Sequence, residues 1–292
     1  MGIARSSVRT WSSVVSLIAL LGIGSGLAAD EMRARRDAAV MHHILSQQNA
    51  GVLVPMYVYP ADVHTNADYN RLIDLKRRFP TVPFWVIVNP GSGPGTVVDG
   101  NYTKAIDRLI GSGCVVLGYV STSYGKVPAE TIRADLTSWR TMYPRVQGVF
   151  FDEMLYEDTE TAVRRQVANN ALAREMGFWP TVANPGTDTP GRFFQQEAAD
   201  VIVVHEGGDW PDEARLHGDY FGGYADYPPY TRAVLIHSLP KFSGEKLARM
   251  KRYARWFYLT PALFRANDPA HANPWNVLSS HLEATCTELS KP

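Results

Sequence analysis

From residue 50 to residue 260 the chain alternates short apolar runs with longer segments whose apolar positions recur at helical spacing. The runs fall at 52–59, 83–88, 114–120, 148–151, 178–183, 201–205, 233–237 and 256–259. Most are continuous in Val, Ile, Phe, Leu and Trp, as strands covered on both faces require. Between them, 69–79, 102–110, 129–142, 159–176 and 245–253 carry apolar stripes about 3.6 residues apart. The pattern is poor after the fifth run and obscure after the sixth. Eight strands alternating with helices predict a parallel sheet with right-handed crossovers, and the number eight favours closure. The expected fold is α/β, a single (β/α)8 TIM-type barrel. An open doubly wound sheet is the competing architecture, but no Gly-rich dinucleotide fingerprint follows any of the runs.

The N-terminus reads differently. Arg5 and Arg9 precede an apolar stretch from Val14 to Leu21, and small residues follow as far as Ala29. Residues 1–29 are therefore read as a signal peptide or N-terminal anchor, 30–50 as a lead-in helix or linker, and 51–292 as the barrel domain. The expected location is secreted, periplasmic or at the cell surface, with membrane contact only if the N-terminal segment is retained. The 29 basic residues balance the 29 acidic ones and no basic stripe appears, so a nucleic-acid partner is not expected. Cys114 and Cys286 are read as buried free thiols. His42-His43 is read as solvated, and no cofactor or metal is expected.

In such barrels chemistry sits at the C-terminal ends of the strands. Those ends carry Tyr57 and Tyr59, Asn89, Tyr119, Asp152-Glu153, Asn184, His205-Glu206 and His237-Ser238. Acids that follow apolar strands lose solvent and crowd one another, which separates their proton affinities. Glycoside hydrolysis uses such a split pair, one carboxyl protonated and the other ionised. Asp152, Glu153 and Glu206 are the candidate catalytic residues; the competing reading is that an acid here caps the next helix. Strand alternation predicts that only one of Asp152 and Glu153 faces the barrel mouth.

Aromatic rings offer flat apolar faces on which sugars stack. Tyr57, Tyr59, Tyr119, Tyr124, Trp210 and Tyr224, with Asn89, Asn184, His205 and His237, form the candidate substrate-binding set. Trp85 lies mid-strand and is assigned to the core. The run from Asn89 to Gly95 lacks the Lys-Ser/Thr of a phosphate loop and reads as a shaped turn.

Several of these strings together resemble the spherulin-4-like proteins, classed as glycoside hydrolase family 135. They are Val54-Pro55-Met56-Tyr57-Val58-Tyr59-Pro60, Val88-Asn89-Pro90-Gly91-Ser92-Gly93-Pro94-Gly95 and Gly118-Tyr119-Val120-Ser121-Thr122-Ser123-Tyr124-Gly125. Gly148-Val149-Phe150-Phe151-Asp152-Glu153, Asn184-Pro185-Gly186-Thr187 and His205-Glu206 follow in the same order. The resemblance spans roughly residues 50–280, with departures mainly after Glu206. It implies a (β/α)8 fold and an endo-acting hydrolase of a microbial exopolysaccharide rich in α-1,4-linked N-acetylgalactosamine. It also implies three functional acids at Asp152, Glu153 and Glu206. Two other functions fit the residues alone. One is a metal-dependent polysaccharide deacetylase with Asp152, His205, Glu206 and His237 as ligands. The other is a non-catalytic glycan-binding protein.

Overall fold

The computed structural model describes residues 39–214 and 227–291. Residues 39–47 are helical and belong to a unit separate from the barrel, which begins at Gln48. The predicted signal or anchor segment, residues 1–29, lies outside the described residues, as does the candidate Tyr224.

Eight parallel strands close into a barrel in sequence order. They are β1 (Gly51–Met56), β2 (Phe84–Val88), β3 (Val115–Ser121), β4 (Gly148–Asp152), β5 (Thr181–Asn184), β6 (Val201–Gly207), β7 (Arg232–Ile236) and β8 (Trp256–Leu259). β8 returns to β1 through Gly51–Trp256 and Val52–Phe257. The helices are α1 (Ala67–Arg78), α2 (Gly100–Gly111), α3 (Ala129–Met142), α4 (Glu160–Glu175), the single turn α5 (Arg192–Gln195), α6 (Gly244–Met250) and α7 (Leu282–Leu289). α1 shows how local sequence sets an element. Asn66 caps it by accepting from the N–H groups of Asp68 and Tyr69, and Tyr69, Leu72, Ile73 and Leu75 form its buried face.

Inside the ring Trp85 and Trp256 stack with centroids 3.6 Å apart, so Trp85 belongs to the core as expected. At the N-terminal end Asp200 is fully buried. It accepts from the Thr181 N–H at 2.8 Å and the Thr181 hydroxyl at 2.9 Å, and it pairs with Arg174, tying the starts of β5 and β6 to α4. Cys114 and Cys286 are buried and free. α3 packs directly on β3 because residue 118 is glycine. A Cβ there would stand 2.6 Å from the Trp139 ring, whose Nε1 donates to the Tyr119 carbonyl at 2.9 Å. Gly118→Ala is expected to cost about 1–3 kcal/mol of unfolding free energy, read from a urea titration, because the ring has nowhere to go.

The strand boundaries shift in ways that bear on the site. β1 stops at Met56, releasing Tyr57 and Tyr59 into the loop. β6 runs on to Gly207, so Glu206 lies within a strand rather than after one. The β6–β7 register slips between Val203 and His205, a local irregularity of the kind that re-aims side chains beside functional sites.

Candidate active site

All eight strands or the loops after them contribute to one cavity of about 590 Å³ at the C-terminal mouth. Asp152, Glu153 and Glu206 all line it. The arrangement turns on Asn184 at the end of β5. Its Nδ2 lies 2.8 Å from Asp152 Oδ1 and 2.7 Å from Glu206 Oε2. The two acceptor oxygens on that one nitrogen are therefore at most about 5.5 Å apart, within the carboxyl separation of about 5–5.5 Å used for double displacement at a sugar or closer than it.

Their environments differ. Burial and the neighbouring Asp152 push the Glu206 carboxyl up to about 7, against the opposing pull of hydrogen bonds from Asn184 and Trp275. Burial also raises Asp152, while hydrogen bonds from the Tyr119 hydroxyl, at 2.8 Å, and from Asn184 favour its charged form. Two close carboxyls resist joint ionisation, so below neutrality the pair can hold Asp152 as carboxylate and Glu206 as acid.

Alternation does not separate Asp152 from Glu153. Glu153 follows the last residue of β4 and has φ +55°, so the strand rule no longer governs its side chain, and it too turns into the cavity. The end of β3 holds this bend. The Thr122 N–H reaches the Asp152 carbonyl at 2.9 Å, the Thr122 hydroxyl reaches the Glu153 carbonyl at 2.7 Å, and the Ser121 hydroxyl donates to Glu153 Oε2 at 3.0 Å. Neither acid caps the following helix, whose N-cap is Thr159. Other strained residues gather nearby. Among the described non-glycine residues Ala61, Ser92, Ser123, Tyr124, Glu153 and Ser238 have left-handed φ, and every one follows a strand at the barrel mouth; Glu197 is the exception.

With this geometry in place, the sequence can be set against known proteins. The model of spherulation-specific family 4 matches residues 51–288. The chain belongs to that family. Spherulin-4 of Physarum polycephalum is 28% identical over 164 residues, which is 56% of this chain and 47% of that protein, so the match spans about half of that relative. The structure resembles Aspergillus clavatus Sph3, determined in complex with GalNAc, with TM-score 0.68 and 25% identity over 84% of this chain and 99% of that one. A trimodular endoglucanase, 12% identical with TM-score 0.50 over 86% of this chain and 62% of that one, shares the fold alone.

Of the residues named from the sequence, Tyr57, Asn89, Tyr119, Tyr124, Asn184 and His237 line this family member's cavity beside the three acids. Tyr57 meets Tyr119 edge-on at 5.8 Å, and burial followed by the Asp152 charge holds its phenol protonated well above the usual range. Burial lowers His237, with His205 adding to the effect and Asp209 opposing it, which favours the neutral imidazole. Three residues stand elsewhere. Tyr59 is about half exposed, packs on Tyr102 and accepts from Asn101 at 2.9 Å. His205 precedes Glu206 in the same strand and so faces the other way, its Nε2 lying 3.0 Å from the Asp209 carbonyl. Trp210 lies in a separate surface pocket under the Lys246 ammonium. The proposed metal ligands Asp152, His205, Glu206 and His237 therefore do not converge, because His205 does not line the cavity.

The sequence reading missed the wall that closes the cavity opposite β4. Residues 260–281, between β8 and α7, bring Phe264, Asn273, Pro274 and Trp275 into it. Trp275 meets His237 edge-on at 5.9 Å. The available signal was length, since a long connection without elements of its own in a compact domain is commonly functional.

Proposed function

We propose that this protein is an exported glycoside hydrolase that cleaves within a microbial exopolysaccharide of α-1,4-linked N-acetylgalactosamine. The carrying observation is the Asn184-bridged pair of unlike acids, Asp152 and Glu206, inside a cavity walled by aromatic rings. The GalNAc complex of Sph3, a protein similar over 84% of this chain, supports the sugar assignment.

In the first step the Asp152 carboxylate attacks the anomeric carbon while the Glu206 carboxylic acid gives its proton to the departing glycosidic oxygen. In the second, the Glu206 carboxylate takes a proton from water, and that water displaces Asp152, restoring both groups and the starting anomeric configuration. Glu153 accepts a hydrogen bond from the sugar's amide N–H or a hydroxyl. Tyr119 steadies the Asp152 charge in the resting state. The tyrosines and Trp275 supply faces for the sugar rings.

The test is a digest of hexosamine polymers with the purified protein, read by mass spectrometry, with product configuration followed by NMR from the first turnovers. Oligosaccharides carrying α reducing ends are expected. Cleavage of no polymer, with tight binding that persists in Asp152→Ala, would make this a glycan-binding protein instead. Chelator-sensitive release of acetate without chain cleavage would return the deacetylase reading. Export is tested separately by the N-terminal mass of protein recovered outside the cytoplasm of the producing cell.

Charge sets a second expectation. The cavity lining holds three carboxyls and, among the described residues, neither Lys nor Arg. Uronate-rich polymers are expected to show kcat/KM at least about tenfold below that of neutral hexosamine polymers at low salt, because like charges in a walled cleft repel.

A further inference from the structure

Asn184 sits where a substrate-binding amide would be expected, yet both of its side-chain N–H donors are already engaged. One side-chain N–H faces Asp152 Oδ1, the other faces Glu206 Oε2, and Oδ1 accepts from the Gly186 N–H at 3.0 Å. Its backbone carbonyl accepts from the Met154 N–H at 2.8 Å, locking the end of β5 to the residues after Glu153. The side chain is buried and has no donor left for a sugar. The Gly186 N–H fixes which way the amide points, and the opposite orientation would set a carbonyl oxygen against two carboxyls.

We infer that Asn184 is a positioning residue whose single NH2 group spaces the two acids and donates to both. This rests on the acid pair proposed above and goes beyond it by naming what holds the pair. The same cavity holds Tyr57 after β1, Tyr119 on β3 and Tyr124 after it, Glu153 after β4 and His237 after β7. None of these five hydrogen-bonds the Asn184 side chain, so a shift in the acids' titration reports the lost amide. Hydrogen bonds to a carboxylate favour its charged form, and removing the shared donor moves both acids toward higher pKa.

The experiment is a carboxyl carbon-13 NMR titration of the full chain, without substrate, for wild type, Asn184→Ala and the isosteric Asn184→Asp. In Asn184→Ala both midpoints are expected to rise, that of Glu206 by about one pH unit from its position near 7. In Asn184→Asp the added carboxyl is expected to push Glu206 further. On polymer, kcat is expected to fall at least about tenfold with KM changed by less than about threefold, and both limbs of the pH profile are expected to move alkaline. Unmoved midpoints with a raised KM would make Asn184 a sugar contact, and unmoved midpoints with a lowered Tm would make it structural; either overturns the inference. If wild type cleaves no polymer, the hydrolase reading falls, while the NMR midpoints still decide the role of Asn184.

Discussion

Glu206→Gln is expected to lower kcat on polymer by about 10²–10⁴-fold, equivalent to roughly 3–5 kcal/mol of barrier. The alkaline limb near pH 7 should vanish with it. In the wild-type site burial and the Asp152 neighbour keep Glu206 neutral up to about 7. The acid is competent below that pH and is lost as the pH rises through it. A glutamine has no proton to release. Aryl glycosides, whose leaving group departs without one, should lose far less in the first step. Azide should then restore turnover by replacing the water that Glu206 would have deprotonated. A variant equally impaired on aryl and natural substrates, with azide ineffective, would deny Glu206 this role. The same carboxyl affects folding. Its native pKa lies above the unfolded value, so its favourable contribution is complete below the unfolded pKa and is lost as pH rises through about 7. Wild-type Tm should therefore fall relative to Glu206→Gln between about pH 5 and pH 8.

Asp152→Asn is expected to cost about 10³–10⁴-fold in kcat while glycan binding, followed by calorimetry, changes little. The amide keeps the size of the side chain and can still accept from Tyr119, but it cannot attack carbon as a carboxylate does. A second readout separates nucleophile loss from distortion. Removing the Asp152 charge deletes a cause that raises Glu206, so the Glu206 midpoint should drop below its wild-type position. Retained wild-type turnover, or a Glu206 midpoint that does not move, would show that the two carboxyls are not a working pair.

Much of this architecture was readable in the sequence because continuous apolar runs have few other uses. β4, β6 and β8 begin where their runs begin, and the starts of the remaining strands shift by one to three residues. The larger shifts have local causes. Tyr57 and Tyr59 are apolar enough to extend a run on paper, yet they leave the sheet to meet Tyr119 and Tyr102. Phe178 to Pro180 precede β5 rather than opening it. The acids could be found because charged residues directly after buried strands are costly without a use.

Orientation was less legible. Period-two alternation wrongly sends Glu153 away, because its backbone has already left the strand, and the same rule correctly applied removes His205. Trp210 is a substrate-binding candidate by its ring and its loop position, but its contact is with Lys246 on α6. The last wall of the cavity carries no periodicity at all, so Trp275 and its neighbours were invisible to pattern.

That wall is fastened at both margins. Near its start the Ser238 N–H donates to the Ala262 carbonyl at 2.8 Å, and the Ser238 hydroxyl accepts from the Phe264 N–H at 2.9 Å. Near its end the Ser279 N–H donates to the Tyr258 hydroxyl at 2.9 Å. The span between these two clasps holds cavity-lining groups but none of the three acids. This part of the cavity wall and the three acids thus occupy separate stretches of polypeptide. Exchanging residues 265–274 for those of a relative offers a route to new glycan preferences with the reaction chemistry left intact.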